Sequence, residues 1–320
     1  MMEIPEKYIR KIELNVQYCE CCQPRDNEEP EGFFWVLGDR ICFHEYLSEI
    51  KVPEKYFEEI DNKFNCPNCG CTIGLYTDVG LKTKFEIEYE KKYDKIISKL
   101  APDIEEFSYY LEKYPYLGLN HRIGKKIKKE ISNIPKTTIK NEIWYRARAV
   151  NSSKKFTYSD MMPPNPEMVT IGEGRFNHYG QSVYYLGDEK RLCALEVSNQ
   201  LETICWIQKL EIISLNNILD LSVYINPDNI DYIPFVFAGI IITGEINKKV
   251  IRDKNWKPEY FVSRFISDIC REANIDGIKY NSTVAIGNNL AILNMDNFNY
   301  KLIRNPYIYK LTKEKSNYEF

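Results

Sequence analysis

The stretch Gly172-Glu173-Gly174-Arg175-Phe176-Asn177-His178-Tyr179-Gly180 sets three glycines around an arginine, an asparagine and two aromatic residues. Glycine lets a backbone approach a ligand closely. An arginine fixed in such a loop suits bidentate capture of phosphate or pyrophosphate. Working outward, Val183 to Leu186 reads as a strand, and Asp188 as the cap of a helix from Glu189 to about Leu201. In that helix Cys193, Val197 and Leu201 form an apolar ridge, with Leu192 and Glu196 on the neighbouring one. Glu196 thus borders the buried face, where a carboxylate needs a partner or a task. Upstream, Ile143 to Val150 reads as a strand. Downstream, Thr203–Ile213 and Asn217–Leu221 are strand-like, Pro258 opens a helix to about Ala273, and Asp276–Tyr280 and Asn289–Met295 are further strands. Strands with interspersed helices and long loops predict an α+β domain. No G-x-G-x-x-G follows a strand, which argues against hydride transfer on a dinucleotide fold.

Taken in order, Tyr145-Arg146, Met162-Pro163-Pro164, Gly174-Arg175-Phe176-Asn177 with Gly180, Tyr185-Leu186 and Ala194-Leu195-Glu196 resemble the motifs of the RES family. So do Gly277-Ile278-Lys279-Tyr280-Asn281-Ser282 and Asn289-Leu290-Ala291-Ile292-Leu293. The resemblance covers about residues 142–303. The Arg, Glu and Ser that name the family fall on Arg175, Glu196 and Ser282, with Thr283 as the adjacent alternative hydroxyl. Phe176 stands where many members carry Trp, and Tyr179 where Pro is common. The resemblance implies an ADP-ribosyltransferase-like fold, NAD+ as substrate and a place in toxin–antitoxin pairs. The chemistry it implies is cleavage of the nicotinamide–ribose bond through an oxocarbenium-like state. Glu196 would stabilise that positive charge. Arg146 and Arg175 would grip the pyrophosphate, Tyr185 would stack on the nicotinamide, and Ser282 would bond its amide or a ribose hydroxyl. Asn177 joins the NAD+-binding set as part of the loop motif.

The acceptor stays open. Water makes a glycohydrolase; phosphate makes a phosphorylase, with Arg148 or Lys154 as the extra cation. A macromolecular acceptor makes an ADP-ribosyltransferase.

The first 80 residues hold seven of the ten cysteines. Cys19-Glu20-Cys21-Cys22 contains one C-x2-C pair, and Cys66-Pro67-Asn68-Cys69-Gly70 is a second. Two such loops facing each other build the four-sulfur cage of structural zinc, so Cys19, Cys22, Cys66 and Cys69 are the expected ligands. Cys21 and Cys71 are alternative ligands. The insertion between the pairs is expected to hold a strand, Phe33–Leu37, and a short helix. Residues 81–133 lack cysteine and read as helices over Thr83–Leu100, Pro102 to about Lys113, and His121–Ile134, followed by a linker at Pro135–Thr138. The expected organisation is a cysteine-rich zinc-ribbon-like module (1–80), a helical segment (81–138) and the RES domain (139–320). The first two resemble, more faintly, the HEPN/RES N-terminal type. The R-x4–6-H motif of HEPN ribonucleases does not occur, so nuclease activity is not carried over.

A net charge of −3 supplies no global field toward nucleic acid. No window reaches the ~20 apolar residues of a membrane span, and Met1–Lys7 lacks a signal peptide's apolar run. Cytoplasm is the default location, and an antitoxin or regulatory protein the expected partner beside NAD+. A reading of another class also stands: a nucleic-acid-binding zinc module, using Lys125, Lys126, Lys128 and Lys129, with a degenerate RES domain. The solvated face of the helix carrying Ile123, Ile127 and Ile131 explains those lysines equally.

Overall fold

The computed structural model describes residues 3–24, 35–150, 155–198, 203–225, 229–249 and 257–312. The chain divides into two compact units, Met1–Tyr93 and Asp94–Phe320. No helix among the described residues is long and apolar enough to cross a membrane.

The first unit contains α1 (Glu6–Asn15), β1 (Val16–Cys19), β2 (Asp39–Cys42), α2 (Phe43–Glu49), α3 (Phe57–Ile60), β3 (Phe64–Asn65), β4 (Thr72–Ile73) and β5 (Asp78–Leu81). Strands β1, β5 and β2 form one antiparallel sheet in that order, and β3 pairs with β4 in a hairpin. Ile12, Phe43, Leu47, Ile60, Ile73 and Val79 form its core. Of the strand expected at 33–37, residues 33 and 34 lie outside the described residues, and 35–37 are not strand. There the Gln23 side-chain oxygen accepts from the amides of Val36 and Leu37, both at 2.9 Å. The strand begins only after Gly38, whose positive φ turns the chain. The expected short helix is α2.

Helix α4 (Lys84–Lys113) runs unbroken through Pro102, where the sequence predicted a break. A proline inside a helix costs about 3 kcal/mol. Burial outweighs that cost: Leu100, Ile104, Phe107 and Leu111, spaced at three and four, are all at most 2% exposed.

The second unit continues with α5 (Arg122–Asn133), β6 (Thr137–Ala149), α6 (Tyr158–Met161), β7 (Tyr184–Gly187), α7 (Lys190–Ser198), β8 (Thr203–Asp220), α8 (Phe235–Ile242), α9 (Phe261–Glu272), β9 (Gly277–Asn281), β10 (Asn288–Ile292), β11 (Asn299–Leu302) and β12 (Tyr307–Leu311). The predicted linker is therefore shorter than expected, because β6 starts at Thr137. The two strands read at 203–213 and 217–221 are one. The sheet runs β11-β8-β6-β7-β10-β9, with β12 also on β8. The end of β8 pairs in parallel with β9, so the sheet returns on itself. The mixed α and β architecture agrees with the expected class.

The two sheet faces differ in content. Trp144, Tyr184, Leu186, Leu210, Ile212, Leu290 and Ile292 share one core. Against the other face α7 packs Leu192, Cys193 and Ala194 beside Tyr145, Ala147, Cys205 and Ile207. Helices α5, α8 and α9 pack together. Phe107 meets Phe265 edge-on at 5.2 Å. The Glu130 carboxylate accepts from the first amides of α8, Val236 and Phe237, at 3.0 Å each.

Candidate functional site

Glu196 lies near the end of α7, half-buried. Its Oε1 accepts from Ser282 Oγ at 2.7 Å and from Asn289 Nδ2 at 2.8 Å. Ser282 immediately follows β9 and is fixed by its own backbone: its amide donates to the Gly287 carbonyl at 3.0 Å. Its hydroxyl also accepts from the Val284 amide at 3.1 Å. Asn289 is buried on β10, opposite Gly187 of β7 and Tyr280 of β9. Two strands and a helix thus bring a hydroxyl and an amide onto one carboxylate oxygen. Ser282, rather than Thr283, makes this contact.

The Gly172–Gly180 loop is built around Asn177 and Tyr185. The Tyr185 hydroxyl donates to Asn177 Oδ1 at 3.0 Å and accepts from the Phe176 amide at 3.0 Å. Asn177 Nδ2 donates to the carbonyls of Gly172 and His178 at 3.0 and 2.9 Å. Burial pushes the Tyr185 phenol up from its usual range. A Cβ at position 174 would stand 2.2 Å from Asn177 Oδ1, so only glycine fits that turn. Helix α9 secures the loop from outside. Arg264 Nε donates to the Gly174 carbonyl at 3.0 Å, and Ser267 Oγ to the Phe176 carbonyl at 2.8 Å. His178 pairs with Asp268 at 2.8 Å.

Arg175 is 8% exposed. Its guanidinium donates to the carbonyls of Ile246 and, at 3.1 Å, Lys248, and lies 5.0 Å over the Tyr260 ring. Tyr280, across from Asn289 on β9, meets the Phe176 ring at 4.7 Å. That phenol is pushed well above its usual range, first by burial, then by Tyr185 and the Glu196 carboxylate, with Arg175 opposing.

Arg146 is elsewhere. Strand alternation puts it with Trp144, on the face opposite Tyr145 and α7. Its guanidinium lies 4.9 Å over the Tyr184 ring and donates to the Tyr185 carbonyl at 3.1 Å. Burial pulls its pKa down to about 10. Arg148 follows on the same face and donates to the Met162 carbonyl at 3.1 Å. The sequence reading grouped Arg146 with Arg175 as one pair of pyrophosphate cations; the sheet separates them. Lys154 lies outside the described residues. Asp188, read as a helix cap, instead accepts from the backbone and side-chain nitrogens of Asn288 at 2.8 and 3.0 Å.

Asn289, Tyr260 and Arg264 were missed as site residues. Asn289 carries a legible signal: it is a polar residue leading directly into the apolar run Leu290-Ala291-Ile292.

In the first unit, the sulfurs of Cys19, Cys22, Cys66 and Cys69 lie within 4.8 Å of one another. Cys19 and Cys69 are 3.4 Å apart, Cys22 and Cys66 3.9 Å. An ion with four metal–sulfur bonds of about 2.3 Å needs sulfurs about 3.8 Å apart, so the set fits a tetrahedral, thiolate-bound ion. The 3-10 turn Glu20–Cys22 brings the first pair together. In the second pair the Gly70 amide donates to the Cys66 carbonyl at 2.8 Å. Cys19, Cys21 and Cys71 form a second group within the same limit.

Comparison with curated proteins gave no match. Among solved structures, the MbcT–MbcA toxin–antitoxin complex of M. tuberculosis aligns over 58% of this chain and 92% of that chain, at 15% identity and a TM-score of 0.37. The family model described as the RES domain matches residues 143–312. That match spans more than half the chain and takes in Arg175, Glu196, Ser282 and Asn289, so the chain belongs to the RES family.

Proposed function

We propose that this chain degrades NAD+ by cleaving the nicotinamide–ribose bond, with water or phosphate as acceptor, and acts as a toxin or defence effector held in check by an antitoxin or regulatory protein. The observation that carries the reading is the Glu196 carboxylate, held through Oε1 by Ser282 and by Asn289, which lies across the sheet from Tyr280. Cleaving a bond from the anomeric carbon to a cationic nitrogen leaves positive charge on the ribose. A carboxylate fixed before reaction stabilises that charge without reorganising. Two donors on Oε1 hold the carboxylate in place before substrate arrives.

In this reading Glu196, Arg175 and Ser282 are the catalytic set. Arg175, fixed by two carbonyls and stacked on Tyr260, offers its remaining N–H groups to the pyrophosphate. Ser282 holds the carboxylate and faces the nicotinamide amide or a ribose hydroxyl. Asn177 and Tyr185 shape the wall against which the dinucleotide lies, with the Tyr185 ring against the nicotinamide. Arg146 contributes through the Tyr185 carbonyl, keeping β7 in place.

The four-sulfur group is read as a structural zinc site: four thiolates leave no position for a catalytic water. Residues 1–80 form the zinc module, 81–138 the helical segment and 139–320 the catalytic domain.

The test is purified full-length protein with NAD+, with and without phosphate, the products resolved by chromatography. Free nicotinamide with ADP-ribose, or with its 1-phosphate, supports the reading and identifies the acceptor. Intact NAD+ after prolonged incubation, with Glu196 unmodified and the protein folded, defeats it. Label transferred from NAD+ to a macromolecule in lysate would replace it with the transferase.

A further inference from the structure

Six of the first unit's cysteines lie in two short runs, Cys19-Glu20-Cys21-Cys22 and Cys66-Pro67-Asn68-Cys69-Gly70-Cys71. The four-sulfur set uses the first and last cysteines of the first run and the first two of the second. Cys21 and Cys71, the two it leaves over, do not scatter. Their sulfurs and that of Cys19 lie within 4.8 Å of one another. The turn Glu20–Cys22 explains half of this. It directs Cys22 back toward Cys19, whose amide donates to Cys22 Sγ at 3.1 Å, and leaves Cys21 exposed. The knuckle after Cys66 explains the other half. The Cys66 amide donates to the Cys71 carbonyl at 2.8 Å, and Gly70 takes a positive φ that turns Cys71 out of the four-sulfur loop.

Cys19 belongs to both groups and is 3% exposed. A thiolate bound to one metal keeps lone pairs that can bind another. The three-sulfur group contains no carboxylate or imidazole. Such a donor set disfavours hard cations such as magnesium or calcium and favours soft, thiolate-seeking ions. Adding a dication together with two further thiolates leaves the net charge of the cluster unchanged. We propose that Cys19, Cys21 and Cys71 form a second site for a soft cation, with Cys19 bridging it to the ion in the four-sulfur cage. On binding, Cys21 and Cys71 each release a proton to solvent. Three sulfurs leave the fourth position to water, and Cys21 is exposed, so this ion exchanges with solution while the inner ion stays. The inference extends the structural-zinc reading and rests on the cage being filled.

The probe is cadmium-113, a soft dication with a nuclear spin. Full-length protein is stripped by chelator under reductant without oxygen, refilled with excess cadmium-113, then examined by native mass spectrometry and cadmium NMR. Two ions per chain are expected, with two resonances split by coupling through the shared Cys19 sulfur. The double variant Cys21→Ser/Cys71→Ser should keep its melting temperature, bind one ion and give one unsplit resonance. A wild-type chain that binds one ion under excess cadmium, with Cys21 and Cys71 both open to alkylation, overturns the proposal. So does a second ion that persists in the double variant. The cage reading fails separately, if Cys66→Ser/Cys69→Ser holds as much metal as the wild type.

Discussion

Replacing Glu196 by Gln changes the charge of the candidate site and little else. Glutamine keeps an oxygen where Ser282 and Asn289 donate, at 2.7 and 2.8 Å in the native site. Hydrogen bonds to a charged acceptor are worth about 1 kcal/mol more than neutral ones, so the two contacts together lose about 2 kcal/mol at most. For a unit of this size that lowers the melting temperature by about 4–8 °C. Loss of a fixed charge that stabilises the transition state costs on the order of 100-fold or more in rate, equivalent to about 2.7 kcal/mol of barrier. NAD+ affinity should change little if, as proposed, Arg175 rather than the carboxylate grips the phosphates. The assay measures melting temperature, NAD+ affinity and turnover on one preparation. Turnover within about threefold of wild type, in a folded variant with near-normal NAD+ affinity, would refute the electrostatic role. Glu196 would then be a structural acceptor for two neighbouring side chains, and the proposed chemistry would lose its carboxylate.

Arg175→Ala should weaken NAD+ binding at least tenfold as well as turnover, as read by KM and kcat. It should also lower stability by about 1–3 kcal/mol per stranded acceptor, because the Ile246 and Lys248 carbonyls lose their donor. Gly174→Ala forces a Cβ to within 2.2 Å of Asn177 Oδ1; the loop must shift at a cost of about 1–3 kcal/mol, and turnover should fall with the melting temperature. Cys66→Ser should destabilise the first unit, seen as an earlier thermal transition, while NAD+ turnover stays near wild type. A fragment starting at residue 139 should aggregate on size-exclusion chromatography, whereas one starting at residue 94 should elute as a folded species. The shorter fragment strips Leu100 and Ile104 from Gly239 of α8 and removes Glu130 from its first amides.

What was legible in the sequence followed from local rules. Periodicity, capping and turn residues located β7, α7, α9, β9 and β10 along the chain, and the paired cysteines identified themselves by spacing. What escaped depended on distant partners. Nothing near Pro102 says that residues on both sides of it bury against the same neighbours, which is why α4 continues. Asn217 and Asn141 adopt positive φ inside long strands, irregularities that hid the full length of β6 and β8. The separation of Arg146 from Arg175 was readable in part. Trp144 and Arg146 are two apart on a strand, so a buried Trp144 assigns Arg146 to the same face. That this face lies opposite Glu196 required the register of β7, β10 and β9. Asn289 needed the same register, since its partner Glu196 is 93 residues away in sequence.

The site loop and the helices that precede the family domain meet on one element. Along α9, Arg264, Ser267 and Asp268 hold Gly174, Phe176 and His178 of the loop. On the same helix Phe265 packs on Phe107, and Glu272 pairs with Lys128 of α5 at 2.5 Å. A Cβ on Gly118 would stand 2.4 Å from the Phe265 ring, so the turn between α4 and α5 closes directly on α9. Helix α9 is therefore seated from one side by residues before position 143 and presents its polar side chains to the loop that carries Arg175. Moving α9 by even an ångström would break side-chain bonds of 2.8–3.0 Å to three loop residues. The turn between α4 and α5 also reaches the loop directly, with the Tyr116 and His178 ring centroids 6.3 Å apart, so the helical segment bears on the loop both through α9 and by its own contact.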